Sequence, residues 1–284
     1  LAAALVAVPL SSAQAVDDPS ESSIAGAVTS SGTAVEDISV TAYDAQDEAV
    51  AFARTSRTGS YALTVPSNAS YRLKFSDEER HLFRTEYWNN KSTLAAATPI
   101  VLGTNDAGGK DADLARKPQI RGTVTDENLD EIEGVQITVY RLENGQFVQE
   151  DQTDPFSSGV DGRYRVPVDP GGTYKLKFES RDHRTEWFDD AATEASATAL
   201  PITSTVTGKD VTMTKLPAIT GVVTGPDGPA KYANVIAYRY ENQFSSDEVR
   251  RVSTRADGSY TLRVEPGEYR IGFDGGGNLA TEYY

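Results

Sequence analysis

Three short stretches of this chain place a carboxylate beside a pair of aromatic rings: Arg84-Thr85-Glu86-Tyr87-Trp88, Arg184-Thr185-Glu186-Trp187-Phe188 and Ala280-Thr281-Glu282-Tyr283-Tyr284. Neighbouring side chains on a strand point to opposite faces. One ring of each pair is therefore expected in a core and the other at least partly outside. An exposed ring can stack on a sugar while a nearby Glu or Asn hydrogen-bonds its hydroxyls. Tyr87, Trp88, Trp187 and Phe188, with Glu86 and Glu186, are thus the candidate carbohydrate-binding residues. The alternative is that both rings are structural, one in the core and one under a loop. The recurring Glu also suggests a catalytic acid, but glycoside hydrolysis needs two carboxyls about 5–10 Å apart around one bond. Glu86, Glu186 and Glu282 occupy equivalent places in separate repeats, whereas a catalytic pair should break the repeat. A structural Glu is expected, bonding a neighbouring loop or pairing with Arg84 or Arg184, and no catalytic residue is assigned.

Other chemistry is thinly represented. His81 and His183 each precede one of these motifs, and both read as solvated loop residues. One His per repeat is too few for a usual zinc site of three or four ligands. No Gly-x-Ser-x-Gly stands out as a nucleophile turn, and the absence of cysteine removes thiolate chemistry and disulfides. No metal or cofactor is assigned. Calcium is the one cation left open, at Asp77-Glu78-Glu79, at Asp106 with Asp111 and Asp113, and at Asp189-Asp190, none with the spacing of an EF-hand loop. Asn68-Ala69-Ser70 and Asn90-Lys91-Ser92 fit the glycosylation sequon, which matters only in a glycosylating host. Gly275-Gly276-Gly277 opens no helix and reads as a loop rather than a phosphate cradle.

The elements that must position these residues come from a repeat. Ile24-Ala-Gly-Ala-Val28 returns as Ile120-Arg-Gly-Thr-Val124 and as Ile219-Thr-Gly-Val-Val223, first 96 and then 99 residues on. The pattern continues in order with Ile38-x-Val40-x-Ala42-Tyr43, Tyr61-x-Leu63-x-Val65 and Tyr71-x-Leu73-x-Phe75, each echoed twice. Every block alternates with period 2, the mark of a strand with one buried face. Thr58-Gly59, Asp161-Gly162 and Asp257-Gly258 mark hairpins ahead of the Tyr strands. The expected fold is all-β: tandem sandwiches of about seven strands each, at residues 24–116, 119–216 and 218–284. The third is expected to be cut short, because counterparts of Thr98–Leu102 and Lys110–Leu114 are missing from it. Short joints ending in Pro118 and Pro217 predict beads on a semi-rigid string.

The first ten residues are apolar, and Ser11-Ser12-Ala13-Gln14-Ala15 ends in an A-x-A pattern. Residues 1–15 therefore read as a trimmed signal peptide cut after Ala15, with 16–23 a short linker. The stretch is shorter than the roughly 20 residues a membrane span needs. With 27 basic and 42 acidic residues the net charge is −15, which argues against nucleic acid and anionic lipid as partners. The expectation is a secreted or cell-surface protein, with no membrane insertion after cleavage and a polysaccharide or cell-wall ligand possible.

The order Ile-x-Gly-x-Val, Val-x-Val-x-Ala-Tyr, Asp-Gly-x-Tyr and Gly-x-Tyr-x-Leu-x-Phe resembles the carboxypeptidase regulatory-like domain, a prealbumin-type sandwich grouped with starch-binding-like folds. The resemblance covers Ile24 onward. It implies tandem prealbumin-like (Ig-like, Greek-key) sandwiches and leaves function open, since such modules accompany many activities. A related bacterial surface repeat carries a Lys–Asn cross-link from a first-strand Lys; Ile24–Val28 has no Lys. The first functional reading is a non-catalytic protein whose repeats act as spacers, adhesive units or weak multivalent binders. The second is a carbohydrate-binding accessory region of a secreted glycoside hydrolase. An alpha-amylase label would follow from fold association alone, since the alternating βα units of an amylase barrel are absent.

Overall fold

The structure, a computed structural model, describes residues 20–150, 156–242, 245–275 and 282–283. The expected leader with its cleavage point lies outside the described residues, as do Gly276, Gly277, Ala280, Thr281 and Tyr284. All regular structure among the described residues is β. The chain divides into two compact units at Lys117/Pro118.

The first unit holds β1 (Glu21–Ser30), β2 (Thr33–Ala34), β3 (Ser39–Tyr43), β4 (Ala49–Arg54), β5 (Ser60–Pro66), β6 (Ser70–Ser76), β7 (Glu86–Tyr87), β8 (Ile100–Val101) and β9 (Ala112–Asp113). One sheet runs β2-β1-β5, with β9 parallel to β1; the other runs β4-β3-β6-β7, with β8 on β6. The period-2 alternation sends one face of each sheet inward. Ile24, Val28, Val40, Leu63, Leu73 and Phe75 are at most 2% exposed and form the core between the sheets. Burying each such side chain is worth about 1.5–3 kcal/mol. Strand β4, which the sequence pattern does not reveal, is an edge with Val50 and Phe52 outward.

The second unit contains two repeats. The earlier one has β10 (Gln119–Asp126), β11 (Gln136–Glu143), β12 (Gln146–Gln149), β13 (Phe156–Ser157), β14 (Arg163–Pro167), β15 (Gly172–Glu179), β16 (Glu186–Trp187), β17 (Leu200–Ile202) and β18 (Val211–Met213). It repeats the first plan: β14-β10-β18 with β18 parallel to β10, facing β12-β11-β15-β16. The later one has β19 (Ala218–Val222), β20 (Thr224–Gly225), β21 (Gly228–Pro229), β22 (Asn234–Asn242), β23 (Ser245–Ser253), β24 (Ser259–Arg263), β25 (Tyr269–Asp274) and β26 (Glu282–Tyr283). Its β23-β22-β25-β26 sheet is present, but β19 pairs only with β24 among the described residues.

The hairpin glycines behave as their positions require. Gly59, Gly162 and Gly258 have φ of 75°, 65° and 76°, and an added Cβ would strike the carbonyl oxygen of Val28, Val124 or Val223.

The bead-on-a-string expectation needs correction between the last two repeats. The Arg250 guanidinium donates to Arg181 O at 2.7 Å and to Asp182 Oδ1 at 2.5 Å, and Arg184 pairs with Glu265 at 3.4 Å. Arg263 also donates to Leu216 O at 2.6 Å. The loop that carries His183 thus docks charged side chains onto the next repeat, and the two form one unit.

Candidate functional site

The Arg-Thr-Glu-aromatic stretch is built identically in the first two repeats. Glu86 and Tyr87 pair with Phe75 and Lys74 of β6, and Glu186 and Trp187 with Phe178 and Lys177 of β15. Tyr87 and Lys91 exchange backbone hydrogen bonds at 2.8 and 2.9 Å across a three-residue turn, Trp88-Asn89-Asn90. Its last two residues, Asn89 and Asn90, have φ of 69° and 59°; Asp189 and Asp190 repeat this at 71° and 53°. Asn and Asp tolerate this left-handed region better than other residues with a Cβ, which suits them to the turn. Asp189-Asp190 therefore has a local explanation without calcium: the pair makes the turn, and Asp189 Oδ2 accepts from the Thr198 hydroxyl at 2.6 Å.

The rings are not presented as an open platform. In the second repeat both Trp187 and Phe188 are buried, against the expectation of one outward ring. Trp187 packs on Tyr140 with centroids 4.8 Å apart, beside Ala191 and Ala197, while Phe188 joins the main core. The strand lasts only two residues before the turn, so strict alternation does not extend to Phe188. In the first repeat Tyr87 and Trp88 are half-buried, and Lys110 Nζ sits 4.7 Å from the Trp88 ring centroid. Lys209 Nζ lies 5.5 Å from the Phe188 centroid in the same manner. A cation over the ring face is favourable in itself and covers one face of each ring.

Each motif borders a shallow recess. One of about 160 Å³ is lined by Arg84, Thr85, Glu86, Asn90 and Lys91, and one of about 240 Å³ by Arg184, Glu186, Asp190 and Thr214. Both fall below the 300 Å³ or so at which ligand pockets begin. Burial and the nearby Asp113 raise the Glu86 carboxyl above its ordinary pKa, with Arg84 pulling the other way. Glu186 Oε1 accepts from the Thr214 N–H at 3.1 Å, the loop bond expected of a structural Glu. Arg184 turns away to Glu265 rather than pairing with Glu186.

The remaining acidic candidates also serve the backbone. Asp106 and Asp111 accept from the N–H groups of Ser23 and Ala27 at 2.7 and 2.8 Å, and Asp113 from the Thr29 hydroxyl at 2.8 Å. Asp77 takes the N–H groups of Arg80 and Leu82. Among the described residues no group of three or more His, Asp or Glu is arranged to hold a metal.

His183 departs from the solvated reading: it is 8% exposed. It stands where the first repeat has Phe83, each bridging the following strand segment, at Lys215 and Arg116 respectively. Its Nδ1 meets Ser180 Oγ at 3.1 Å and its Nε2 is buried without a partner. Burial, then the positive charge of Lys215, depress its pKa, with Asp126 and Asp182 opposing. Lys215 Nζ lies 3.3 Å from Asp126 Oδ2. Burial pushes the Asp126 carboxyl up, yet the N–H groups of Asn128 and Asp130 and the Lys215 amine hold it below its usual value.

Two recurring devices escaped the sequence reading. Thr55, Ser158 and Thr254 are buried, and each hydroxyl accepts one backbone N–H and donates to one carbonyl. Their signal is a Ser or Thr four residues before the hairpin Gly in all three repeats. Tyr61 and Tyr164 donate to the carbonyls of Lys110 and Lys209 at 2.6 and 2.5 Å.

Fold and repeated site together define a tandem all-β protein of prealbumin-like sandwiches. Residues 119–208 match the family model of the carboxypeptidase regulatory-like domain, so the second repeat is similar to that domain. No curated protein matches the chain. Among solved structures, the Bacillus anthracis TIE protein is 14% identical, with a TM-score of 0.27 over 93% of this chain and 48% of its own. This chain thus spans about half the length of that protein. A streptococcal ancillary pilin is 11% identical, with a TM-score of 0.36 over 89% of both chains. The shaft pilin SpaA of Lactobacillus rhamnosus GG is 10% identical, with a TM-score of 0.38 over 69% of this chain and 98% of its own. At these identities the likeness concerns fold alone.

Proposed function

We propose that the chain works outside the cytoplasm as a non-catalytic run of sandwich modules, a spacer that holds other surfaces apart or on display. The observation that carries this reading is that the candidate groups of the site are engaged in the fold: Glu186 on Thr214 N–H, Asp106 and Asp111 on the first strand, and Trp187 under Tyr140. The A-x-A pattern before Val16 supports export. Carbohydrate binding has its best remaining foothold at the half-buried Tyr87 and Trp88, the latter with Lys110 over its ring.

Calorimetric titration of starch, other glucans and cell-wall polysaccharide into the chain and its Trp88→Ala variant tests the reading, together with a reducing-sugar assay. No saturable heat and no sugar release are expected. Saturable binding that disappears in Trp88→Ala would replace the spacer with a carbohydrate-binding module, and sugar release would overturn the non-catalytic assignment.

A further inference from the structure

Two buried side-chain nitrogens where the second and third repeats meet have no hydrogen-bond partner among the described residues: His183 Nε2 and Arg250 Nε. They stand on the two sides of one dock. From the second repeat, the loop of residues 180–184 offers Arg181 O and Asp182 Oδ1 to the Arg250 guanidinium, and Arg184 to Glu265. Arg181 also donates to Arg251 O at 3.2 Å, and Arg263 of β24 donates back to Leu216 O at 2.6 Å. His183 lies inside this loop, between two of the residues that make the dock, and bridges Lys215 of the joint. The first repeat has Phe83 in the same place, a ring that carries no proton.

The site suits a neutral ring and opposes a charged one. A neutral imidazole is satisfied through Nδ1, 3.1 Å from Ser180 Oγ. An imidazolium donates from both nitrogens, and Nε2 faces neither solvent nor an acceptor where it stands. The surrounding charges add to this. Lys215 of the joint and Arg263 of β24 disfavour a proton on His183, while Asp126 at the end of β10 and Asp182 in the loop favour one. Both carboxylates are already spent, Asp126 on Lys215 at 3.3 Å and Asp182 on Arg250 of β23 at 2.5 Å. Of the other charges nearby, Arg184 is paired with Glu265 and Arg251 with Glu248.

We infer that the loop of residues 180–184 is a proton-operated latch between the second and third repeats, closed while His183 is neutral and released when mild acid charges it. To hold a proton the ring must swing toward water, and Asp182 and Arg184 on either side move with it. That withdraws Arg181 O and the Asp182 carboxylate from Arg250, and Arg184 from Glu265. Linkage gives the sign. In the released loop the ring returns toward its ordinary pKa of about 6.5, above its closed value, so the released form takes the proton first as pH falls. One proton shifts the balance between closed and released forms by up to about tenfold per pH unit below that point. The latch sets the stiffness of this joint and stands whether the modules space surfaces apart or bind a sugar.

The chain has no cysteine, so Val160→Cys and Lys231→Cys, both at exposed positions, place one spin label on each repeat of the whole chain. Distances measured by double electron–electron resonance should form one narrow distribution at pH 7.5. At pH 5 the distribution should broaden, while near-ultraviolet circular dichroism shows the repeats still folded. With His183→Phe the narrow distribution should persist at pH 5; His183→Gln, neutral and polar, takes its place if the Phe variant misfolds. Arg250→Ala should give the broad distribution at both pH values. A distribution that is the same at pH 7.5 and 5 overturns the inference, and so does broadening that persists undiminished without His183. Loss of the near-ultraviolet signal at pH 5 also overturns it, because a repeat rather than the latch then yields.

Discussion

Replacing Thr55 by Val keeps the shape of a buried side chain and removes its oxygen. In the native fold that oxygen accepts the Ile38 N–H at 2.9 Å and its hydrogen goes to Val35 O at 2.7 Å, with the residue 3% exposed. The Val variant strands one buried donor and one buried acceptor. Each such orphan costs about 1–3 kcal/mol, and the added methyl returns part of it, so a loss of about 2–4 kcal/mol is expected. Set against the 5–15 kcal/mol typical of a domain, that is a large fraction. The assay uses the single tryptophan each of the first two repeats carries, Trp88 and Trp187. In a Trp187→Phe background, urea unfolding followed by fluorescence reports the first repeat alone. With an m-value of about 1–1.5 kcal/mol/M the midpoint should fall by about 2 M. Thr55→Ser keeps the oxygen and should cost less than about 1 kcal/mol. If the Val and Ser variants unfold within about 0.5 kcal/mol of each other, the hydroxyl is not what pins this corner and the reasoning fails.

Three further outcomes follow from the geometry. Tyr61→Phe and Tyr164→Phe should each cost about 1 kcal/mol in denaturant unfolding, because each hydroxyl donates to a backbone carbonyl of the closing segment, Lys110 O or Lys209 O. His183 is held neutral in the fold, so the unfolded chain takes up the proton first as pH falls. Stability of the second unit should therefore drop as pH falls below about 6.5, and His183→Phe, the residue the first repeat uses, should flatten that dependence in thermal melts between pH 7 and 5. Arg250→Ala removes the bonds to Arg181 O and Asp182; the last two repeats should then melt as separable transitions by calorimetry, where the native pair melts together.

Much of the fold was legible because the buried strands advertise themselves. Ile38–Tyr43, Tyr61–Val65 and Tyr71–Phe75 alternate apolar and polar residues, and each contains a strand with the expected face buried. Edge strands do not advertise: β4 and β12 bury little, so selection for an apolar face is weak and their sequences, AVAFAR and QFVQ, carry no clear period. The parallel direction of β9 and β18 was equally hidden, since two or three paired residues hold no directional signal. At the site, the repeat puts Glu86 and Glu186 at equivalent positions but says nothing of what faces Trp187, because Tyr140 is distant along the chain. The burial of His183 was readable only by aligning it with Phe83 rather than with the other histidine.

The parallel pairing of first and last strands has a mechanical consequence. In each of the first two repeats the chain enters at one end of the opening strand and leaves from the opposite end of its closing neighbour. A pull on the two termini of such a module drags these strands lengthwise past each other. The bonds Ala25 N–H to Ala107 O, Lys110 N–H to Ala25 O and Leu114 N–H to Thr29 O then bear the load side by side instead of tearing one after another. The carboxylates of Asp106, Asp111 and Asp113, strung along the same seam, share that load. Tension applied through the chain thus meets each of these modules in its most resistant direction.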